Sequence, residues 1–144
     1  MKNILVVLAD DMGAWAMGCS GNKEVRTPHL DALAAEGIRF DNFFCVSPVC
    51  SAARASILTG RIPSQHGVHD WISEGNSVSQ KKPDGSAGET IEYLAGLDGY
   101  TDHLAEAGYH CGLSGKWHLG DSDHPQKGLL WWHVMPRNGG QYVN

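Results

Sequence analysis

The chain lacks any long apolar run. Its first, Ile4 to Ala9, is too short for a membrane span or a signal-peptide core and runs directly into Asp10 and Asp11. As written, the chain is expected to be cytoplasmic, or periplasmic or secreted if a leader preceded Met1, with no membrane partner. There is no CxxC pair: Cys19, Cys45, Cys50 and Cys111 are irregularly spaced, which argues against a disulfide framework and a zinc ribbon and leaves reduced thiols as the default. Cys45 and Cys50 with His66 and His69 do not match zinc-ligand spacings either. No block of like charge accompanies the formal net charge of -5, so nucleic acid is not an expected partner, and any anionic substrate must be held by a few local cations. Internal repeats are missing too.

What is present suffices for one domain. With 144 residues, 42% of them hydrophobic, a real core can form. Lys2 to Ala9 is rich in branched residues and reads as a strand buried on both faces, as in a parallel α/β sheet. Pro28 to Gly37 spaces Leu30, Leu33 and Ala34 for a helix, with Thr27 as N-cap, Pro28 in the first turn and Gly37 as the stop. Ile38 to Phe44 reads as a strand, and Ser51 to Leu58 as a helix terminated by Thr59 and Gly60. Ser73 to Gly88, rich in Ser, Gly, Lys and Asp, reads as a surface loop. Thr101 to Ala107 reads as a helix closed by Gly108, and Tyr109 to Ser114 as a second buried strand. Trp131 to Asn144 contains no recognisable closing element. The alternation predicts a doubly wound α/β sheet.

Three polar clusters fall near predicted strand ends, where ligands gather in open parallel sheets. Asp10 and Asp11 offer two hard carboxylates at a point where the backbone can curl, helped by Gly13. Such a pair suits Ca²⁺ or Mg²⁺, and equally a solvated strand end with a capping aspartate. Cys50 precedes a helix whose positive end favours an anion, with Arg54 one turn further on the same side. By composition alone, a cysteine there is more often a small buried apolar residue than a nucleophile. Lys116 and His118 alone read as a surface cation and a half-buried histidine.

The motifs are more specific than their parts. Cys50-x-Ala52-x-Arg54 followed by Thr59-Gly60-Arg61 resembles the sulfatase motif Cys-x-Pro/Ala-x-Arg with its trailing Thr-Gly-Arg. Leu8-Ala9-Asp10-Asp11-Met12-Gly13 looks like that family's first metal-binding strand end, and Gly115-Lys116-Trp117-His118-Leu119-Gly120 is similar to its second signature. The resemblance runs in order from Lys2 to about Gly120. It implies the N-terminal portion of an alkaline-phosphatase-like, doubly wound, mainly parallel α/β fold, and a sulfuric ester hydrolase whose Cys50 is oxidised to formylglycine. It further implies that one hydroxyl of the hydrated aldehyde attacks the sulfur and expels the alcohol, and that deprotonation of the other releases sulfate. Carried over residue by residue, Asp10, Asp11 and residue 50 would hold calcium, with magnesium as the alternative. Arg54 would support the hydrated aldehyde, Lys116 the sulfate oxygens, and His118 would act as the base. If the segment is extended, Lys116 and His118 share a face. The implied partners are a sulfated small molecule or carbohydrate and a formylglycine maturation enzyme; oligomeric state is left open.

This sequence departs from the family pattern in two ways. Ala52 stands where many members have proline, which mainly fixes backbone shape. Family members are also several times longer, and their later metal ligands have no match here. Asp121, Asp123 and His124 follow Lys116 too closely to replace them. The chain alone is therefore expected to hold half a site and to have no turnover. His69, Asp70 and Trp71 are candidate substrate contacts at the pocket mouth, with Trp71 stacking on a sugar ring or, equally, anchoring its loop. Competing readings are a phosphonate monoester or phosphodiester hydrolase with the same nucleophile, and an unmodified Cys50 protein that binds without turnover.

Overall fold

A computed structural model describes residues 2–73, 84, 86 and 88–136. It divides into two compact units, Met1–Phe44 and Cys45–Asn144.

In the first unit, Pro28–Glu36 forms α1, as the spacing predicts, and Gly37 stops it by donating its N–H to the Leu33 carbonyl. Thr27 sits at the N-cap position but makes no side-chain cap bond. Its hydroxyl instead donates to Asp31 Oδ1 (2.9 Å) and accepts the Gly18 N–H (2.8 Å), while Cys19 N–H also donates to Asp31 (2.7 Å). Asp31 thereby ties a short 3₁₀ turn, Gly18–Ser20, to α1. The strand predicted for Lys2 to Ala9 does not form. Ile4, Leu5, Val6, Val7 and Leu8 are 48–89% exposed and in no ladder. A strand buried on both faces needs a neighbour on each side for its N–H and C=O groups, and the described residues give this run none. Ile38 to Phe44 is likewise no strand: it turns at Asp41–Asn42, and Phe40, Phe43 and Phe44 are exposed.

The second unit carries the buried residues. Cys50–Thr59 forms α2, which begins one residue earlier and ends one residue later than the pattern suggests, and Gly60 closes it at φ 66°. Pro63–His66 adds a single turn, α3; Gln65 Oε1 accepts the Ile62 N–H, and Gly67 closes it at φ 78°. Tyr100–Glu106 is α4, its start held by Asp102 Oδ2, which accepts the Gly99 N–H at 2.7 Å. Cys111–Gly115 is β1, which starts two residues later and ends one residue later than the strand expected from the sequence. Leu129–Val134 is β2, which pairs parallel to β1 and supplies an element where the sequence shows none. The Lys127–Gly128 turn leads into it, but its sequence, LLWWHV, has no polar–apolar alternation to mark it as a strand.

Packing fixes how close these elements come. A Cβ on Gly112 would lie 2.6 Å from the Trp131 Cβ, so the bare glycine lets β1 and β2 approach beside the register shift at Cys111/Gly112. Ala52, Ala55, Val68, Ile72, Leu94, Trp117, Leu119 and Leu129 form the core, and the Trp117 and Trp132 rings meet edge to face at 5.1 Å. At Gly120, φ is 95° and a Cβ would sit 1.8 Å from the Ile91 carbonyl oxygen. That position forms the Glu92–Gly120 bridge, flanked by hydrogen bonds from Tyr93 N–H to Leu119 O and from Asp121 N–H to Ile91 O. The loop reading of Ser73 to Gly88 falls largely outside the described residues.

Candidate active site

The N-terminus of α2 organises the site in the second unit. Cys50 is the first helical residue, half-buried, and the N-cap, Val49, offers no side-chain acceptor. The positive end of the helix therefore faces residue 50. None of the four cysteines is in a disulfide. Ser51, Ala52 and Ala55 form the buried face of the helix. One turn beyond Cys50, Arg54 donates from Nη1 to the Lys116 carbonyl at 2.6 Å, closing a sequence gap of 62 residues. The Cys50 motif and the Lys116 motif are thus brought together.

The premise that Lys116 and His118 share a face in an extended segment does not hold. β1 ends at Gly115, whose φ is 116°, and His118 itself has φ 61°. These two positive φ values turn the chain away from the strand direction, leaving Lys116 half-buried and His118 1% exposed. His118 Nε2 lies 2.9 Å from the Ile72 carbonyl oxygen. A carbonyl only accepts, so Nε2 carries the proton and Nδ1 is the basic nitrogen of the neutral ring.

The 66–72 segment reaches this site by a route that the sequence does not reveal. Ile72 N–H donates to Ser51 Oγ (3.1 Å), while Ile72 O accepts from His118. At the other end, His66 Nδ1 accepts the Val68 N–H (3.1 Å), which leaves Nε2 as the donor to Ser56 Oγ (2.9 Å). Burial, with a smaller contribution from His69, pushes the His66 pKa below its ordinary value. The one signal in the sequence is a polar Ser51 on an otherwise alanine-lined helix face. Val68 and Ile72 are buried while His69, Asp70 and Trp71 between them are exposed. Trp71, 55% exposed, sets its ring edge-on to His118 with centroids 5.7 Å apart, and Asp70 Oδ1 accepts the Trp71 N–H at 2.7 Å.

Asp10 and Asp11 lie in the first unit, exposed, at a bend where Asp11 takes φ 57°. Their hard oxygens suit calcium or magnesium, but two carboxylates fall short of the six or so ligands these ions take. Among the described residues, no group of three or more His, Cys, Asp or Glu side chains is placed to hold a metal. Asp121 is buried and accepts from Asp123 N–H (3.0 Å) and pairs with His124 Nδ1 (2.8 Å), so this cluster closes a turn. The hydrogen bond to Asp121, then its charge, raises the His124 pKa.

A partly buried helix bearing the Cys50 motif, tied through Arg54 to the Lys116 motif that follows a parallel strand, is the N-terminal part of an alkaline-phosphatase-like α/β fold. The family model described as Sulfatase matches residues 2–129. The chain belongs to the sulfatase family. It is 37% identical over 122 residues to the steryl-sulfatase of Homo sapiens, which covers 85% of this chain and 20% of the relative. The N-acetylgalactosamine-6-sulfatase of Homo sapiens is 37% identical over 147 aligned positions, 99% of this chain and 27% of the relative. A structure described as a complex with its substrate D-glucosamine-2-N,6-O-disulfate superposes with TM-score 0.63 at 33% identity, over 85% of this chain and 21% of that one. The chain thus spans about a fifth to a quarter of the length of these relatives.

Proposed function

We propose that this chain carries the nucleophile-bearing part of a sulfuric ester hydrolase and that Cys50 is matured to formylglycine. The observation that supports this reading is the Arg54 to Lys116 carbonyl bond, which joins the two motifs at the helix end where negative charge is favoured. One hydroxyl of the hydrated residue 50 attacks the sulfur of a sulfate ester, and the S–O bond to the alcohol breaks as that hydroxyl's proton passes to the departing oxygen. His118 then takes the proton of the second hydroxyl, and the C–O bond to sulfate breaks as the aldehyde re-forms. Lys116 and Arg54 supply positive charge where negative charge develops on oxygen. Asp10 and Asp11 would contribute oxygen ligands to a divalent cation, calcium or magnesium, whose chemistry when bound is to polarise oxygens. Trp71, preceded by His69 and Asp70, offers a half-exposed aromatic ring to a sulfated carbohydrate.

Peptide mass across Cys50, after production beside a maturation enzyme, tests the nucleophile, and paired aryl sulfate and aryl phosphonate assays on the complete enzyme test the substrate class. Formylglycine with a preference for the sulfate is the expected result. Turnover by a protein whose Cys50 peptide is wholly unmodified removes the mechanism.

A further inference from the structure

A base accepts its proton on one particular lone pair, so the role proposed for His118, on which this inference rests, turns on which ring nitrogen is basic. Ser51 is fully buried, and so is the Ile72 side chain, at 3% exposure. Ser51 Oγ receives the Ile72 N–H at 3.1 Å, and the same residue's carbonyl receives His118 Nε2–H at 2.9 Å. Ile72 therefore links the residue next to Cys50 with the imidazole, across sequence gaps of 21 and 46 residues. The Trp71 ring closes on the imidazole from the preceding position.

We propose that Ser51 is a positioning residue, which acts through the Ile72 backbone to hold His118 as the Nε2–H tautomer, so that Nδ1 is the nitrogen that accepts a proton. Ser51 touches no reacting atom in this scheme. Its hydroxyl oxygen fixes the Ile72 N–H, and Ile72, pinned by that bond and by its buried side chain, presents its carbonyl at a constant place and angle. A rotation of Ile72 would release Nε2–H and let the ring take either tautomer. Coupling the nucleophile's helix to the base in this way also makes the two move together, since Ser51 and Cys50 are adjacent on α2.

The test uses the full 144-residue chain with Cys50 unmodified, labelled with ¹⁵N-histidine, and reads the His118 tautomer from long-range ¹H–¹⁵N correlations. Parent protein is expected to show the Nε2–H form alone. In Ser51→Ala the ratio of Nε2–H to Nδ1–H forms should fall by roughly tenfold, the effect of about one hydrogen bond. Ser51→Thr, which keeps the acceptor, should restore it. If Ser51→Ala does not fold, Ser51→Cys, close in volume but a weaker acceptor, takes its place and should shift the ratio in the same direction. An Nδ1–H form in the parent, or a ratio unchanged in the folded Ala or Cys variant, overturns the proposal. These spectra do not depend on turnover, so a failure of the sulfatase reading would appear separately, in the assays on the complete enzyme.

Discussion

His66 and His124 respond to pH in opposite senses, and each sense follows from its surroundings. Burial lowers the His66 pKa, so the unfolded chain takes up a proton at higher pH than the folded one. Stability from His66 is complete above the ordinary value of 6.5 and is lost as pH falls from there through the lowered folded value. Protonation also removes the Nδ1 lone pair that accepts the Val68 N–H. His124 is the reverse: Asp121 raises its pKa, so its contribution is present below 6.5 and disappears as pH rises through the raised folded value. Urea midpoints between about pH 5 and pH 8, the range in which histidine titrates, should therefore slope upward more steeply in His124→Ala than in the parent, and flatten in His66→Asn. Parallel slopes in all three proteins would contradict both assignments. Neither role is legible in the sequence, where His66 suggests only a zinc ligand at the wrong spacing. A histidine's partner is set by tertiary contact, and here it lies ten residues away on another helix.

At the scale of elements, α1, α2 and α4 are readable because their signals are local, while the single turn α3 is not anticipated. Glycines stop α1 and α2, proline opens α1, and the spacing of apolar positions lies within a few turns. Strands depend on partners, so two apolar runs that look like strands do not pair, and β2, which has no alternating pattern, forms beside a glycine that admits it. Of the candidate site, the motif residues are legible, while the backbone link through Ile72 is not, because a peptide group has no signature in the side-chain pattern. The tightest junction is Gly120, where a side chain would collide with the Ile91 carbonyl at an unfavourable φ. Gly120→Ala should cost about 2–3 kcal/mol, combining backbone strain with overpacking, and should be read as a lower urea midpoint with an unchanged m-value. Ile72→Ala, which empties part of the core, should cost about 2–5 kcal/mol by the same measurement. A loss below about 0.5 kcal/mol, the range of ordinary surface changes, would contradict either packing assignment.

For the whole molecule, the central fact is the share of its relatives that the chain spans, about a fifth to a quarter. The described residues contain the motif cysteine, Arg54, Lys116 and His118, while the carboxylates suited to a metal are the pair at Asp10 and Asp11. An isolated 144-residue chain verified by mass as the formylglycine form should turn over an activated aryl sulfate, with calcium added, at least about a hundredfold more slowly than an intact family member, the effect of removing one strong electrostatic element. Comparable rates per molecule would show that the missing ligands are not required.

The crossed indoles of Trp117 and Trp132, 5.1 Å apart and inclined at 66°, have an optical consequence. Two identical chromophores so close and so tilted share their excitation, which splits the absorption band into halves of opposite circular dichroism. One ring follows β1 and the other belongs to β2, whereas Trp15, in the first unit, Trp71 and Trp131 are each more than half exposed. The pair is thus a native chiroptical gauge of whether the second unit's two strands are docked, readable without any label.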